Sequence, residues 1–119
     1  MTALVVDDCE DLRTCLSLLL ITEGYSVKNA SNGLIALQLL KERKIPLKLL
    51  ITDYDMPEMN GGKLVEELIS QNIEVKKIII LSGMNQNEAK IEHLLKKHPN
   101  IKFINKLITT QELLKHINN

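Results

Sequence analysis

Aromatic side chains are scarce in this sequence, with no Trp, two Tyr and one Phe. That leaves little with which to stack a flavin, and no Gly-rich phosphate loop follows the first apolar run, so a flavin-type cofactor site has little support. Cysteine is scarce too. Cys9 and Cys15 stand six residues apart with no CxxC pattern and no partnering Cys/His pair, which excludes a zinc site. Six helical steps put them on different faces, so they cannot bridge, and reduced, packed thiols are expected. There is no excess of charge: 15 Lys+Arg balance 15 Asp+Glu, which removes the electrostatic case for nucleic-acid or anionic-membrane binding. Long hydrophobic runs are also missing. Leu18 to Ile21 and Ile78 to Leu81 are far too short to cross a bilayer. The N-terminus has no basic segment and carries Asp7 and Asp8 where a signal peptide needs apolar residues. A soluble, cytoplasmic protein is expected. Its 119 residues, 45% of them hydrophobic, suit one domain burying roughly two-thirds of its unfolded surface, and exclude a disordered chain.

What is present is a strict alternation. Apolar runs recur at Ala3 to Val6, Ser26 to Ala30, Leu47 to Thr52, Lys77 to Leu81 and Lys102 to Ile104. Between them lie helical stripes: Leu12, Cys15, Leu16, Leu19 and Leu20; then Ala36, Leu37 and Leu40, led in by Ser31-Asn32-Gly33; then Leu64, Val65, Leu68 and Ile69. Ile91, Leu94 and Leu95 make a fourth stripe, with a helix-start signal at Asn85 and Glu88. Leu113, Leu114 and Ile117 make a fifth, which Thr109 and Glu112 begin with capping-box spacing. The three histidines, His93, His98 and His116, have no ligand spacing and are expected on helix surfaces. Five strand-helix units in alternation predict an α/β domain whose parallel sheet is covered on both faces. The first, third and fourth runs are apolar without alternation and read as central strands. Ser26 to Ala30 alternates more and belongs nearer an edge.

Ligands of open parallel sheets bind at the carboxyl ends of the strands. There the sequence places Asp7 and Asp8 after the first run, Asp53 after the third, Ser82 and Gly83 after the fourth, and Lys106 near the end of the fifth. Each alone has a plain structural explanation, since acids at strand ends cap helices or sit solvated in loops. Their convergence does not. Clustered carboxylates repel and raise one another's pKa unless a cation lies among them. Three of them against one Lys leave about two charges for an oxygen-seeking divalent ion, of which Mg²⁺ is the natural candidate. A carboxylate, a metal, an ammonium and a hydroxyl together equip a site for phosphoryl transfer through an acyl phosphate. Asp53, delivered by a central strand, is the best nucleophile. Ser82 is placed to donate a hydrogen bond to the product.

With these residues in view, the sequence resembles the receiver domain of two-component response regulators, of the chemotaxis type, over nearly its whole length. Val5-Val6-Asp7-Asp8 is similar to the family's acidic pair. The run from Asp53 to Gly61, D-x-x-M-P-x-M-N-G, is similar to its phosphoacceptor loop, and Ser82 and Lys106 match its switch hydroxyl and lysine. The resemblance implies a single receiver domain over residues 1–119, with a flavodoxin-like three-layer sandwich, strand order 2-1-3-4-5 and five helices. It implies that Asp53 accepts a phosphoryl group from a sensor histidine kinase or phosphotransfer protein. Asp8, Asp53 and the main-chain carbonyl of Asp55 would hold Mg²⁺, with Asp7 acting through water. Ser82 and Lys106 would bind the phosphoryl oxygens, and Phe103 would be the aromatic switch. The fourth helix, fifth strand and fifth helix would form the surface that changes and controls a partner or effector domain. The protein would be a phosphoacceptor rather than an enzyme, with Mg²⁺-dependent self-phosphorylation from small donors and autodephosphorylation. Two positions depart or add. Leu107 follows Lys106 where the family places Pro, often with a cis peptide, so a trans bond is the default and the ammonium's position is open. Asp55 adds a carboxylate where the family tunes acyl-phosphate lifetime.

Two rivals have weaker support. Asp53-Tyr54-Asp55 fits the D-x-D pattern of haloacid-dehalogenase-type phosphatases, but Pro57 stands where that motif prefers Thr or Val, and the acid pair precedes the nucleophile. A phosphorylation-incompetent interaction module is opposed by the full set of Asp7, Asp8, Asp53, Ser82 and Lys106. Gly62-Lys63 is no Walker motif.

Overall fold

The computed structural model describes residues 1–43, 46–83 and 90–119, and of Arg43 only its backbone. Its strands are β1 (Thr2–Val6), β2 (Ser26–Ala30), β3 (Leu47–Asp53), β4 (Val75–Ser82) and β5 (Ile101–Asn105). The helices among the described residues are α1 (Glu10–Thr22), α2 (Gly33–Arg43), α3 (Gly61–Ser70), α4 (Glu92–Lys97) and α5 (Thr110–Asn118). The strands form one parallel sheet in the order β2-β1-β3-β4-β5. Each expected run became a strand, and the alternating Ser26–Ala30 lies at the edge. The helix-start signal at Asn85 and Glu88 lies outside the described residues.

The absence of alternation in the central strands has a direct structural consequence. Leu4, Val6, Leu50, Ile78 and Ile80 face a core closed by Ala36, Leu37 and Leu40 of α2, Leu64, Val65 and Leu68 of α3, and Leu94 of α4. Ala3, Val5, Leu49, Ile51, Ile79 and Leu81 face a second core closed by Leu20 of α1 and Leu113 and Ile117 of α5. Both faces of β1, β3 and β4 are therefore dry, as parallel sheets require.

Helix ends follow local chemistry. Asn60 caps α3, its Oδ1 accepting the Lys63 N–H at 2.8 Å, and Thr109 caps α5, accepting the Glu112 N–H at 3.2 Å. Asn32 Oδ1 accepts the Ile35 N–H at 2.8 Å at the start of α2. After α1, Gly24 takes φ +93°, and its N–H and that of Tyr25 donate back to Ile21 and Leu20. Lys77 of β4 donates from Nζ to the His116 and Ile117 carbonyls, 3.0 Å each, tying the last turn of α5 to the sheet.

Three expectations are corrected. The α1 stripe holds only in part: Leu16, Leu19 and Leu20 pack against the second core as expected, whereas Leu12 is 44% exposed and Ser17 is buried. Ser17 turns inward because its hydroxyl bonds the Arg13 carbonyl at 2.7 Å and Asn29 Oδ1 of β2 at 2.9 Å. Both cysteines are free, as expected, but exposed rather than packed, Cys15 because it lies on the outer side of α1. His98 follows the last residue of α4 as its C-cap instead of lying within the helix.

The close approach that sets the β3–α3 loop is testable. A Cβ on Gly61 would collide with the Asp53 carbonyl and lie 3.0 Å from Tyr54 Cα. Gly61→Ala is expected to destabilise the protein by about 2 kcal/mol, since backbone cannot yield as a flexible side chain does. Urea denaturation followed by circular dichroism measures this, and an unchanged midpoint would show that the loop relaxes freely.

Candidate functional site

The carboxyl ends of β1, β3, β4 and β5 bring together the residues singled out in the sequence. Asp7 follows β1, Asp53 ends β3, Ser82 ends β4, and Lys106 follows β5. Asp7, Asp53 and Ser82 are buried, while Asp8 is exposed at the mouth. Carboxylate oxygens of Asp7, Asp8 and Asp53 lie within 4.8 Å of one another. Lys106 Nζ lies 2.9 Å from Asp53 Oδ2 and 3.9 Å from Asp7 Oδ2.

The main chain completes the site. Asp53 Oδ1 accepts the Asp55 N–H at 3.2 Å, and Asp7 Oδ1 accepts the Cys9 N–H at 2.9 Å. Beyond Asp53 the chain is held at both groups of Tyr54: its N–H donates to Leu81 at 2.8 Å and its carbonyl accepts from Gly61 at 2.9 Å. Between them the loop makes a three-residue turn, in which the Met59 N–H reaches the Pro57 carbonyl at 2.7 Å and Glu58 sits at φ +69°. Met56 is buried in the core and Met59 packs against it.

Phe103 pairs in register with Ile80 and is half-buried. Its ring meets that of Tyr54 edge-on, with centroids 6.4 Å apart. Sequence reasoning gave Tyr54 no role in this contact. It also missed Arg13, whose guanidinium donates to the Asp7 carbonyl at 2.7 Å. Leu107, at the position of doubt, is 88% exposed and follows a trans bond, yet Lys106 reaches Asp53. A groove of about 660 Å³ between α1 and α5, lined by Leu12, Cys15, Leu16 and Leu113, opens onto Asp7 and Lys106.

Electrostatics identify what the site wants. Burial raises the Asp53 pKa above its ordinary value, although contact with Lys106 works the other way. Asp7 is likewise raised, chiefly by burial and further by Asp8. For Lys106 desolvation disfavours the charge, but the bond to Asp53 and the field of the carboxylates win, and its pKa is raised. One ammonium thus falls short of compensating the cluster. Hard oxygen donors with surplus negative charge suit a divalent cation such as Mg²⁺.

An acidic cluster and a lysine at the carboxyl edge of a doubly covered parallel sheet define an α/β phosphoryl-handling class. The model of the response regulator receiver domain family matches residues 3–118, and the chain belongs to that family. It is 34% identical over 114 residues to a chemotaxis protein CheY homolog of Campylobacter jejuni, covering 95% of this chain and 86% of that one. It is 45% identical over 65 residues, 55% of this chain, to a transcriptional regulatory protein CpxR homolog of Haemophilus influenzae, spanning only 27% of that protein's length. Among solved structures, response regulator TrrA of Thermotoga maritima superposes with a TM-score of 0.81 at 26% identity, covering 98% of this chain and 96% of that one. The fold is the expected flavodoxin-like, chemotaxis-type sandwich. The domain is thus a phosphoacceptor signalling module of two-component systems rather than a conventional enzyme. No helix among the described residues is long and apolar enough to cross a membrane.

The raised carboxylates give a pH prediction. A group whose folded-state pKa exceeds its unfolded one contributes stability that is complete below the unfolded value, here 3.8, and lost as pH rises through the folded value. Metal-free protein should therefore lose stability on this account as pH rises above 3.8. Asp7→Asn, whose amide oxygen can still accept the Cys9 N–H, should raise the metal-free Tm at pH 7.5 by about 3–6 °C. The gain should vanish below pH 4 and shrink in millimolar Mg²⁺. Calorimetry at both pH values checks it, and a lowered Tm at pH 7.5 would show that the Asp7–Lys106 attraction outweighs burial.

Proposed function

We propose that residues 1–119 form a single cytoplasmic receiver domain in which Asp53 accepts a phosphoryl group from a phosphohistidine of a sensor kinase or phosphotransfer protein. The observation that carries this reading is Asp53 itself, buried at the end of a central strand with Lys106 Nζ 2.9 Å from one oxygen and the Asp55 N–H on the other. An Asp53 oxygen forms the new O–P bond as the donor's P–N bond breaks, and the imidazole departs with the electron pair of that bond. Lys106, kept protonated, faces the oxygens of the transferred group, and Ser82 donates a hydrogen bond to one of them. Asp8, Asp53 and the Asp55 carbonyl would hold Mg²⁺, with Asp7 reaching it through water. When bound, Mg²⁺ supplies the positive charge that the carboxylates and the phosphoryl oxygens lack. The related TrrA structure, described as a complex with Mg(2+)-BeF, supports this choice.

The acyl phosphate then shifts a two-state equilibrium. Ser82 turns toward the phosphoryl group and Phe103 of β5 follows, altering the α4–β5–α5 surface that a partner or effector domain reads. The domain also takes phosphoryl groups from small donors and releases phosphate on its own. Leu12 and Leu107, both apolar and exposed beside the mouth, are the surface a donor protein covers.

Intact-protein mass spectrometry after acetyl phosphate treatment tests this. A Mg²⁺-dependent adduct is expected in wild type and none in Asp53→Asn. Lys106→Met should slow its appearance by about tenfold or more. An adduct that persists in Asp53→Asn would move the acceptor. No adduct, together with no beryllofluoride complex by NMR, would leave an interaction module.

A further inference from the structure

Lys106 leaves the sheet in the short segment from Asn105 to Ile108, which hydrogen bonds of Asn105 close. Asn105, the last residue of β5, pairs in register with Ser82. Its Oδ1 accepts the Leu107 N–H at 2.8 Å, and its carbonyl accepts the Ile108 N–H at 3.1 Å. Between these two bonds the Lys106 N–H donates to the Ser82 carbonyl at 2.9 Å. The segment around Lys106 is thus closed by three bonds, one of them from the Lys106 N–H itself, and its side chain reaches Asp53. Leu107 contributes nothing else to this arrangement: its side chain is 88% exposed, so what position 107 supplies is an N–H. Proline could not supply it.

We propose that Asn105 is a positioning residue for Lys106, and that its side-chain bond to the Leu107 N–H aims the ammonium at Asp53. The inference rests on the phosphoacceptor reading for its kinetic consequence but not for its geometry. An Asx turn is an economical device here, because Asn side chains bond their own backbone two residues on. Asn105→Ala removes the acceptor and frees the Lys106 backbone to rotate. Ser at this position keeps a hydroxyl that makes the same turn more weakly.

The test compares wild type, Asn105→Ala, Asn105→Ser, Leu107→Pro and Asn105→Ala/Leu107→Pro. Phosphorylation of Asp53 by acetyl phosphate should fall about fivefold in Asn105→Ala, with Asn105→Ser in between. Because Leu107→Pro removes the donor of the same bond, adding Asn105→Ala to it should cost nothing further. Magnesium affinity separates positioning from general damage. A loosened Lys106 leaves the carboxylates in place with less competing positive charge, so Asn105→Ala should bind Mg²⁺ as tightly as wild type or more tightly. A collapsed site would bind it more weakly, and that result overturns the proposal. A wild-type rate in Asn105→Ala, or additive losses in the double variant, overturns it as well. The ¹⁵N-edited NMR signal of the Lys106 ammonium, visible when the group is held in an ion pair, reads the geometry without phosphorylation. If wild type takes no phosphoryl group, the function is wrong. If that signal survives in Asn105→Ala, the positioning is wrong.

Discussion

Three carboxylates crowded at one edge of an apolar sheet are the constraint that the rest of the site answers. Asp7 and Asp53 are 2% exposed, so neither is relieved by bulk water. Burial raises both pKa values, and the salt bridge from Lys106 offsets that penalty without cancelling it. The signs decide the outcome: were the ion pair dominant, both carboxyls would titrate below their ordinary range. Three carboxylates against one ammonium leave negative charge that a divalent cation would neutralise.

The surrounding loops carry the precision. At the same edge of the sheet Asn32, Asn60 and Asn105 each turn a side-chain oxygen onto a backbone N–H two or three residues on, and Thr109 does the same for α5. Each bond fixes the exit from a strand with an acceptor already present in the loop, so the loops stay short and the strand ends stay in register. Gly61 serves the same purpose by omission. Without a Cβ, the start of α3 can lie against the Asp53 carbonyl and accept no displacement of the acceptor.

Most of this was legible because the fold uses strong signals. Apolar runs without alternation marked the central strands, and the residues directly after them come together at one edge of the sheet. The face of α1 was only partly legible: Leu16, Leu19 and Leu20 pack as the spacing predicts, but Leu12 and Cys15 are exposed. Leu12, Leu16, Leu18, Leu19, Leu20 and Ile21 surround the helix, so hydrophobic spacing carried only part of the information about its rotation. Ser17 decided it, through a hydrogen bond to Asn29 on the neighbouring strand that no local pattern announces. Arg13 escaped for the same reason, since its partner is a main-chain carbonyl, which every residue offers. Leu107 was a departure because it replaces a Pro and its peptide geometry; the bond is trans, Lys106 still reaches Asp53, and the Leu107 amide bonds Asn105.

On the proposed reading, the aromatic pair offers a short path outward from Asp53. Two of the three aromatic rings in the chain, Tyr54 and Phe103, are in contact. Tyr54 is covalently next to Asp53, and its ring fits against Gly62, where a Cβ would approach Ile91 to 2.7 Å and the ring to 3.2 Å. Phe103 lies on the strand beside Ser82 and is only half-buried. Tyr54 and Phe103 therefore run from Asp53 to β5, and Ile91 of the same core lies at the start of α4. Dense cores tolerate discrete rearrangements better than graded ones. A half-buried ring resting edge-on against a buried one is suited to two seats rather than a continuum, which is the property a switch requires.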